Sequence, residues 1–157
     1  MITRLEYLLG PLGMSAFLVG QVTPYLKARA ANRFANEGDS VSGPWPALSP
    51  VTVSIRNSLG YGGEHPINRR SGALERWVTG STPTLVTSPV LSVLTYPGNP
   101  PSGRLKDKVV TAQTGQIAGK TSGTVPRPVL GMDATDYVAI LGMLALSVEA
   151  VGRTGRI

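Results

Sequence analysis

The chain contains no cysteine. That excludes disulfides, thiolate metal sites and cysteine nucleophiles together, and it fits a reducing cytoplasm. Histidine occurs once, at His65. No G-x-S-x-G elbow accompanies it, so a Ser-His-Asp arrangement has no anchor. Glu64 stands beside it, yet a lone histidine without a second ligand at defined spacing makes no metal centre. His65 reads as an exposed loop residue. Aromatic residues are few, at 6%, and they do not alternate with basic residues as stacking platforms for nucleobases would. The nine carboxylates are scattered, and nothing in their order supports a glycosidase-like pair.

Long apolar runs are scarce as well. Residues 5–22 are mostly apolar, but Glu6, Gly10, Pro11 and Gln21 interrupt them and no clear small-x-small cleavage site follows. The carboxy-terminal apolar stretch counts short of the roughly 20 residues that cross a bilayer. A soluble chain with no membrane partner is expected. A phosphate loop is missed by one residue. Gly115-Gln116-Ile117-Ala118-Gly119-Lys120-Thr121 has three residues between its glycines, where wrapping backbone amides around phosphates needs four. Residues 122–126, ending in Pro126, cannot supply the helix whose amino terminus would face the anion. No cofactor and no metal are expected, and the chain does not read as an enzyme.

What is present is glycine, proline and positive charge. Nineteen glycines and thirteen prolines in 157 residues predict one domain (1–157) with a modest core and long irregular segments. Such a composition suits a subunit that gains stability from neighbours, and equally an ordinary loop-rich domain. The net charge of +6 is dispersed over three clusters. Lys27, Arg29 and Arg33 form the first, mostly off the apolar stripe of their helix; Arg69, Arg70 and Arg76 form the second, and Arg104, Lys106 and Lys108 the third. Solvated faces and salt bridges between subunits are the plainer reading. A basic nucleic-acid-binding accessory protein is the alternative, and it predicts affinity that falls steeply with salt.

Periodicity predicts an α+β fold, a small antiparallel sheet packed against amino- and carboxy-terminal helices and joined by long loops. Residues 1–36 are helical. A capping box of Thr3 and Glu6 opens a first short helix that ends at Gly10-Pro11, and residues 15–36 form a second, which Pro24 should kink or split. Residues 37–50 are turn-rich with Trp45 as a packing post. Ser49-Pro50 opens a helix by its capping chemistry, whereas Val51, Val53 and Ile55 alternate as a strand does, and both readings stay open. Residues 71–78 form a helical turn carrying Leu74 and Trp77. The β-rich region, 84–113, holds strands at 84–87, 90–96 and 108–113, with residues 97–103 as a long hairpin connection.

The most regular element is the helix at 133–151. Asp133 caps it, with Asp136 in the capping-box position. Tyr137, Ile140, Leu141, Leu144, Val148 and Val151 form one apolar face. Val138, Met143, Leu146 and Ala150 make the other side apolar too, which predicts a helix shared with another chain. The segment before it, Val125-Pro126-Arg127-Pro128-Val129-Leu130-Gly131, is a stiff extended strut, because each proline locks its own φ and restricts the residue before it. Candidate interface residues are Arg127, Pro128, Leu130, Tyr137, Met143, Leu146 and, less centrally, Trp45. Arg127 is expected to donate a bidentate pair to a carboxylate, inside the subunit or across to a neighbour.

That strut resembles the P-x-R-P-(F/V)-L-G signature of the bacteriophage virion morphogenesis or tail completion family. Trp45-Pro46-Ala47-Leu48-Ser49-Pro50-Val51-Thr52 is similar to the family's W-x-P-L-S-x-x-T turn, shifted at the proline. Ser71-Gly72-Ala73-Leu74 resembles its (T/S)-G-x-L step, and Gln113-Thr114-Gly115 its (Q/E)-F-G strand end. The pieces occur in the family's order from about residue 33 onward. Thr114 replaces the usual aromatic, Lys108 stands where a tyrosine is common, and the loop from Gln116 is longer. The resemblance implies a small α+β subunit of a sixfold ring at the top of a phage tail, assembled in the host cytoplasm and resident in the virion. Its partners would be itself, adjacent neck proteins and tail tube proteins. DNA would pass through the channel without being read. Tail terminators and head-closure connectors are the neighbouring roles.

Overall fold

The computed structural model describes residues 10–39, 43–68, 71–88, 91–98, 103, 107, 112, 127 and 130–154. The fold is α+β, with two small antiparallel sheets of two strands each. The chain groups into two compact units, which it enters alternately. One comprises residues 1–26, 82–98 and 132–157, the other 27–81 and 99–131.

In the first unit, α1 (Pro11–Phe17) starts with Gly10 in an extended conformation and a proline in its first turn, where the missing N–H costs nothing. It therefore begins four residues before the expected start at 15. The helix continues through a π-helical turn, Leu18–Val22, into α2 (Thr23–Ala35). Pro24 explains that turn. It has no N–H to donate back and its ring crowds the preceding turn, so the ladder widens just upstream: the Thr23 N–H reaches the Leu18 carbonyl, five residues back. The Thr23 hydroxyl donates to the same carbonyl at 3.0 Å. The kink expected at Pro24 is thus taken up as a π-bulge. The capping box at Thr3 and Glu6 lies outside the described residues.

Strands β3 (Thr84–Thr87) and β4 (Ser92–Thr95) form a hairpin in which Leu85 faces Leu94 and Val86 faces Val93. Period-two alternation turns the leucine pair inward and leaves the valine pair in water. The hairpin packs on α1, where the Ser15 hydroxyl meets those of Thr87 at 2.8 Å and Ser92 at 3.2 Å. The third strand, expected at 108–113, is corrected at its one described residue: Ala112 is helical. Its small side chain is buried in a core, and a short apolar run carries too little periodicity to separate helix from strand.

Helix α5 (Ala134–Thr154) follows Asp133. The expected capping box is complete: the Asp136 N–H donates to Asp133 Oδ1 and the Asp133 N–H to Asp136 Oδ2, each at 3.0 Å. Asp136 is 1% exposed, and its Oδ1 also accepts from the Tyr25 hydroxyl at 2.7 Å. About two turns from the other end, Gln21 Nε2 donates to the Ser147 hydroxyl at 2.9 Å.

The second unit has its own core: Ala30, Phe34, Trp45, Ile67, Leu74, Trp77, Val78 and Ala112, with Leu48 and Leu130 packed against it. Phe34 meets Trp45 edge to face at 5.5 Å, a favoured aromatic geometry. The short ribbon β1 (Gly38–Asp39) with β2 (Gly43–Pro44) brings Trp45 there. At the ribbon Gly38 has φ +137, and a Cβ would stand 2.4 Å from the Gly43 carbonyl, so no other residue fits. Helix α3 (Pro50–Ser58) resolves the open choice at Ser49-Pro50. The Ser49 hydroxyl accepts the Thr52 N–H at 3.3 Å, and the capping chemistry prevails over the valine alternation, whose Val51 and Ile55 stand largely in water and form no buried strand face. Helix α4 (Ala73–Gly80) buries Leu74, Trp77 and Val78, as its spacing predicts.

Candidate interaction surfaces

The strut is tied down inside the second unit. Arg127 Nε donates to the Pro46 carbonyl and its second guanidinium nitrogen to the Ala47 carbonyl, both at 2.6 Å. Its own N–H donates to the Ala112 carbonyl at 2.8 Å, and Asn68 Nδ2 donates to its carbonyl at 3.3 Å. The fork is bidentate as expected, but its acceptors are two backbone carbonyls in place of a carboxylate. Planar guanidinium geometry suits either. Burial holds the Arg127 guanidinium below its ordinary pKa. Two strings far apart in sequence, Trp45-Pro46-Ala47 and Pro126-Arg127-Pro128, therefore meet through one side chain.

The end of the strut is tied as well. Arg33 donates to the Gly131 carbonyl at 2.9 Å and pairs with Asp39 at 2.5 Å, with Arg29 at 3.7 Å from the same carboxylate. Arg33 is 7% exposed, which corrects its reading as a residue off the buried stripe. A buried carboxylate–guanidinium pair with further carbonyl bonding satisfies both charges.

Among the candidate interface residues, Trp45 and Leu130 belong to the core and Arg127 spends its fork internally. Pro128 lies outside the described residues. On α5, Asp136, Ile140, Met143, Leu144, Ser147, Val148 and Val151 turn inward. Tyr137, Val138, Leu141 and Leu146 turn out, with exposures of 57%, 69%, 64% and 66%. Met143 and the pair Tyr137 and Leu141 thus exchange the faces assigned to them, because the inward stripe is set by Asp136 and its tie to Tyr25. Little of this helix is buried, and at 20 residues over Ala134–Arg153 it is, by length and composition, long and apolar enough to cross a membrane. That corrects the count that placed it short: the helix begins right after its cap and runs on through Gly152 to Thr154.

A second apolar strip was not anticipated. Val51, Ile55 and Leu59 stand 69%, 51% and 55% exposed along and just after α3. Their spacing of four puts them on one helical row. The signal was there, but the strand-like alternation of the same residues competed with it.

Several polar groups elsewhere bond within the chain. Glu37, in a left-handed conformation at φ 51, accepts the Ile67 N–H at 2.7 Å and faces His65 Nδ1 at 2.5 Å. The expected neighbour of His65, Glu64, contributes instead a carbonyl near Arg56, at 3.5 Å. Arg56 is 4% exposed, and its Nε has no acceptor among the described residues. Sequence reasoning missed it, because Arg56 stands among Ser54, Asn57 and Ser58 and carries no signal of burial. Among the described residues no three His, Cys, Asp or Glu side chains gather as a metal site. The phosphate-loop-like string at 115–121 lies outside the described residues, as do Arg69, Arg70, Arg104, Lys106 and Lys108. No protein family, curated protein or solved structure matches the chain.

Proposed function

We propose that the protein is a structural virion subunit of a tailed bacteriophage, a ring-forming tail completion or neck protein that joins tail to head. The observation that carries this reading is the outer face of α5, where Tyr137, Val138, Leu141 and Leu146 stand in water along one helix. A contiguous apolar face of that kind marks an interaction site. Two local features support it: Arg127 and the Gly131 carbonyl are each tied within the second unit, and α5 opens on a closed capping box. The family resemblance supplies the biological setting, and the tie between its Trp45 turn and its Pro-Arg-Pro strut gives those two strings a common purpose. Tail terminator and head-closure connector are the neighbouring roles.

For the nucleic-acid-binding alternative, Arg33 of the first basic cluster is spent on Asp39 and the Gly131 carbonyl, while Arg69, Arg70, Arg104, Lys106 and Lys108 lie outside the described residues. One further reading has an observation behind it: the length and composition of α5 suit insertion into a bilayer. Native mass spectrometry of the protein, alone and with tail tubes, separates these readings. A closed multimer in either condition supports the neck subunit. A monomer in both, floating with anionic liposomes, supports the membrane reading and refutes the first.

A further inference from the structure

We propose that Arg56 anchors a binding site for a small free oxyanion of the phosphate class, closed over by the loop at 59–66. The second unit supplies its own contrast. Arg33 and Arg127 meet their acceptors, a carboxylate and three carbonyls, at distances from 2.5 to 2.9 Å. Arg56 is more deeply buried than either, at 4% exposed. Yet its terminal nitrogens reach only the Tyr61 and Glu64 carbonyls, at 3.4 and 3.5 Å, beyond the usual span of about 2.7–3.2 Å. Its Nε has no acceptor, and among the described residues no carboxylate pairs with it. A guanidinium keeps its proton, so burial leaves a positive charge that two distant carbonyls do not offset, a costly arrangement. A buried donor without an acceptor marks the place of a water or an ion. Water would fill the bond but leave the charge. An oxyanion answers both, and its paired oxygens match the planar fork.

The surrounding chain is built as a cover that can lift. Arg56 lies in the last turn of α3. Tyr61, Gly62, Glu64, His65 and Pro66 are exposed, so the loop lies at the surface with two carbonyls turned towards the arginine. Both of its ends are tied. The N–H groups of Leu59, Gly60 and Tyr61 donate back to α3 carbonyls, while Glu37 holds His65 and the Ile67 N–H. Between the ties the hold on the arginine is two long bonds. Gly60 and Gly62, at φ +71 and +72, flank Tyr61 and can turn the backbone without strain. Moving the two carbonyls aside exchanges those weak contacts for short, charge-assisted ones. Phosphate has oxygens for Nε and both terminal nitrogens together, whereas a carboxylate has only two. A site so enclosed takes the free ion and not a nucleic-acid backbone.

Urea unfolding of the wild type and of Arg56→Met, in potassium phosphate and in potassium chloride of equal ionic strength and pH, tests the proposal. A ligand that binds only the folded chain stabilises it in a saturable way, whereas exclusion of phosphate from protein surfaces stabilises both proteins alike. The expected result is a wild-type midpoint that rises and levels off with phosphate, beyond any rise in Arg56→Met. Equal responses of the two proteins, or no response, overturn the proposal and leave Arg56 as a pin for the loop. Should Arg56→Met fail to fold, NMR of the wild type reads the Arg56 Nε–H signal during phosphate titration. A saturable shift of that signal supports the site, and a signal that stays in place overturns it.

Discussion

Replacing Arg127 with alanine removes the one side chain that binds the strut to the Trp45 turn. Two bonds from a charged donor are lost, to the Pro46 and Ala47 carbonyls. Bonds of that kind contribute about 1.5–3 kcal/mol each when buried. The guanidinium is only partly buried, so the lower end applies, and the total comes to about 2–4 kcal/mol. For a chain of 157 residues each kcal/mol moves the melting temperature by roughly 2–4 °C, so a fall of roughly 5–15 °C is expected. Arg127→Lys should recover less than half, because an ammonium is a point donor that cannot span two carbonyls with a planar fork. Urea unfolding followed by tryptophan fluorescence reads both values. The loss should not depend on protein concentration, since donor and acceptors share one chain. A change within about 0.5 kcal/mol, the range of an ordinary surface substitution, would refute the tie. A loss that grows on dilution would place the acceptors in a neighbour.

Three further outcomes follow from the same geometry. Asp136→Ala removes the acceptor for Tyr25 and for the Asp133 N–H, and should cost about 2–4 kcal/mol as a lost cap plus a lost hydrogen bond to a buried carboxylate, with Tyr25→Phe costing about 1; equal effects of the two in urea unfolding would contradict this. Gly98→Ala should cost about 1–3 kcal/mol, because φ is +100 and the new Cβ would stand 2.8 Å from the Thr82 carbonyl; a stabilised variant in thermal melts would show the turn to be otherwise. Burial pushes the Tyr96 phenol up from 10.0 to about 12. The folded state therefore holds its proton more tightly than the unfolded chain, so the Tyr96 contribution is complete below pH 10 and lost as pH rises towards 12. Tyr96→Phe should flatten that part of the stability–pH curve, and an unchanged curve would remove the assignment.

Elements with local signals were legible in the sequence. The Asp133–Asp136 capping box, the strands expected at 84–87 and 90–96, and the Leu74–Trp77 helix all formed where residue type and spacing placed them. Three features needed tertiary information. Pro24 announced a break, but its form, a π turn at Leu18–Val22, was not legible from the proline alone. Val51, Val53 and Ile55 satisfied two periodicities, and the Ser49 cap chose between them. The faces of α5 were unreadable because both are apolar, and the tie of Asp136 to Tyr25, 111 residues apart, sets which one turns in. The site followed the same division. An interface on α5 could be anticipated from its composition, whereas the internal fates of Trp45, Arg127 and Leu130 depended on partners distant in sequence.

The central claim is that the outer face of α5 exists to meet protein. Sedimentation velocity over a concentration series, on the wild type and on Leu141→Lys/Leu146→Lys, addresses it most directly. Both side chains are largely exposed, so the double variant should keep the wild-type unfolding midpoint within about 0.5 kcal/mol per site. The account predicts a wild-type multimer and a folded, monomeric variant. A wild type that sediments as a monomer at every concentration, or a variant that assembles as the wild type does, would contradict it.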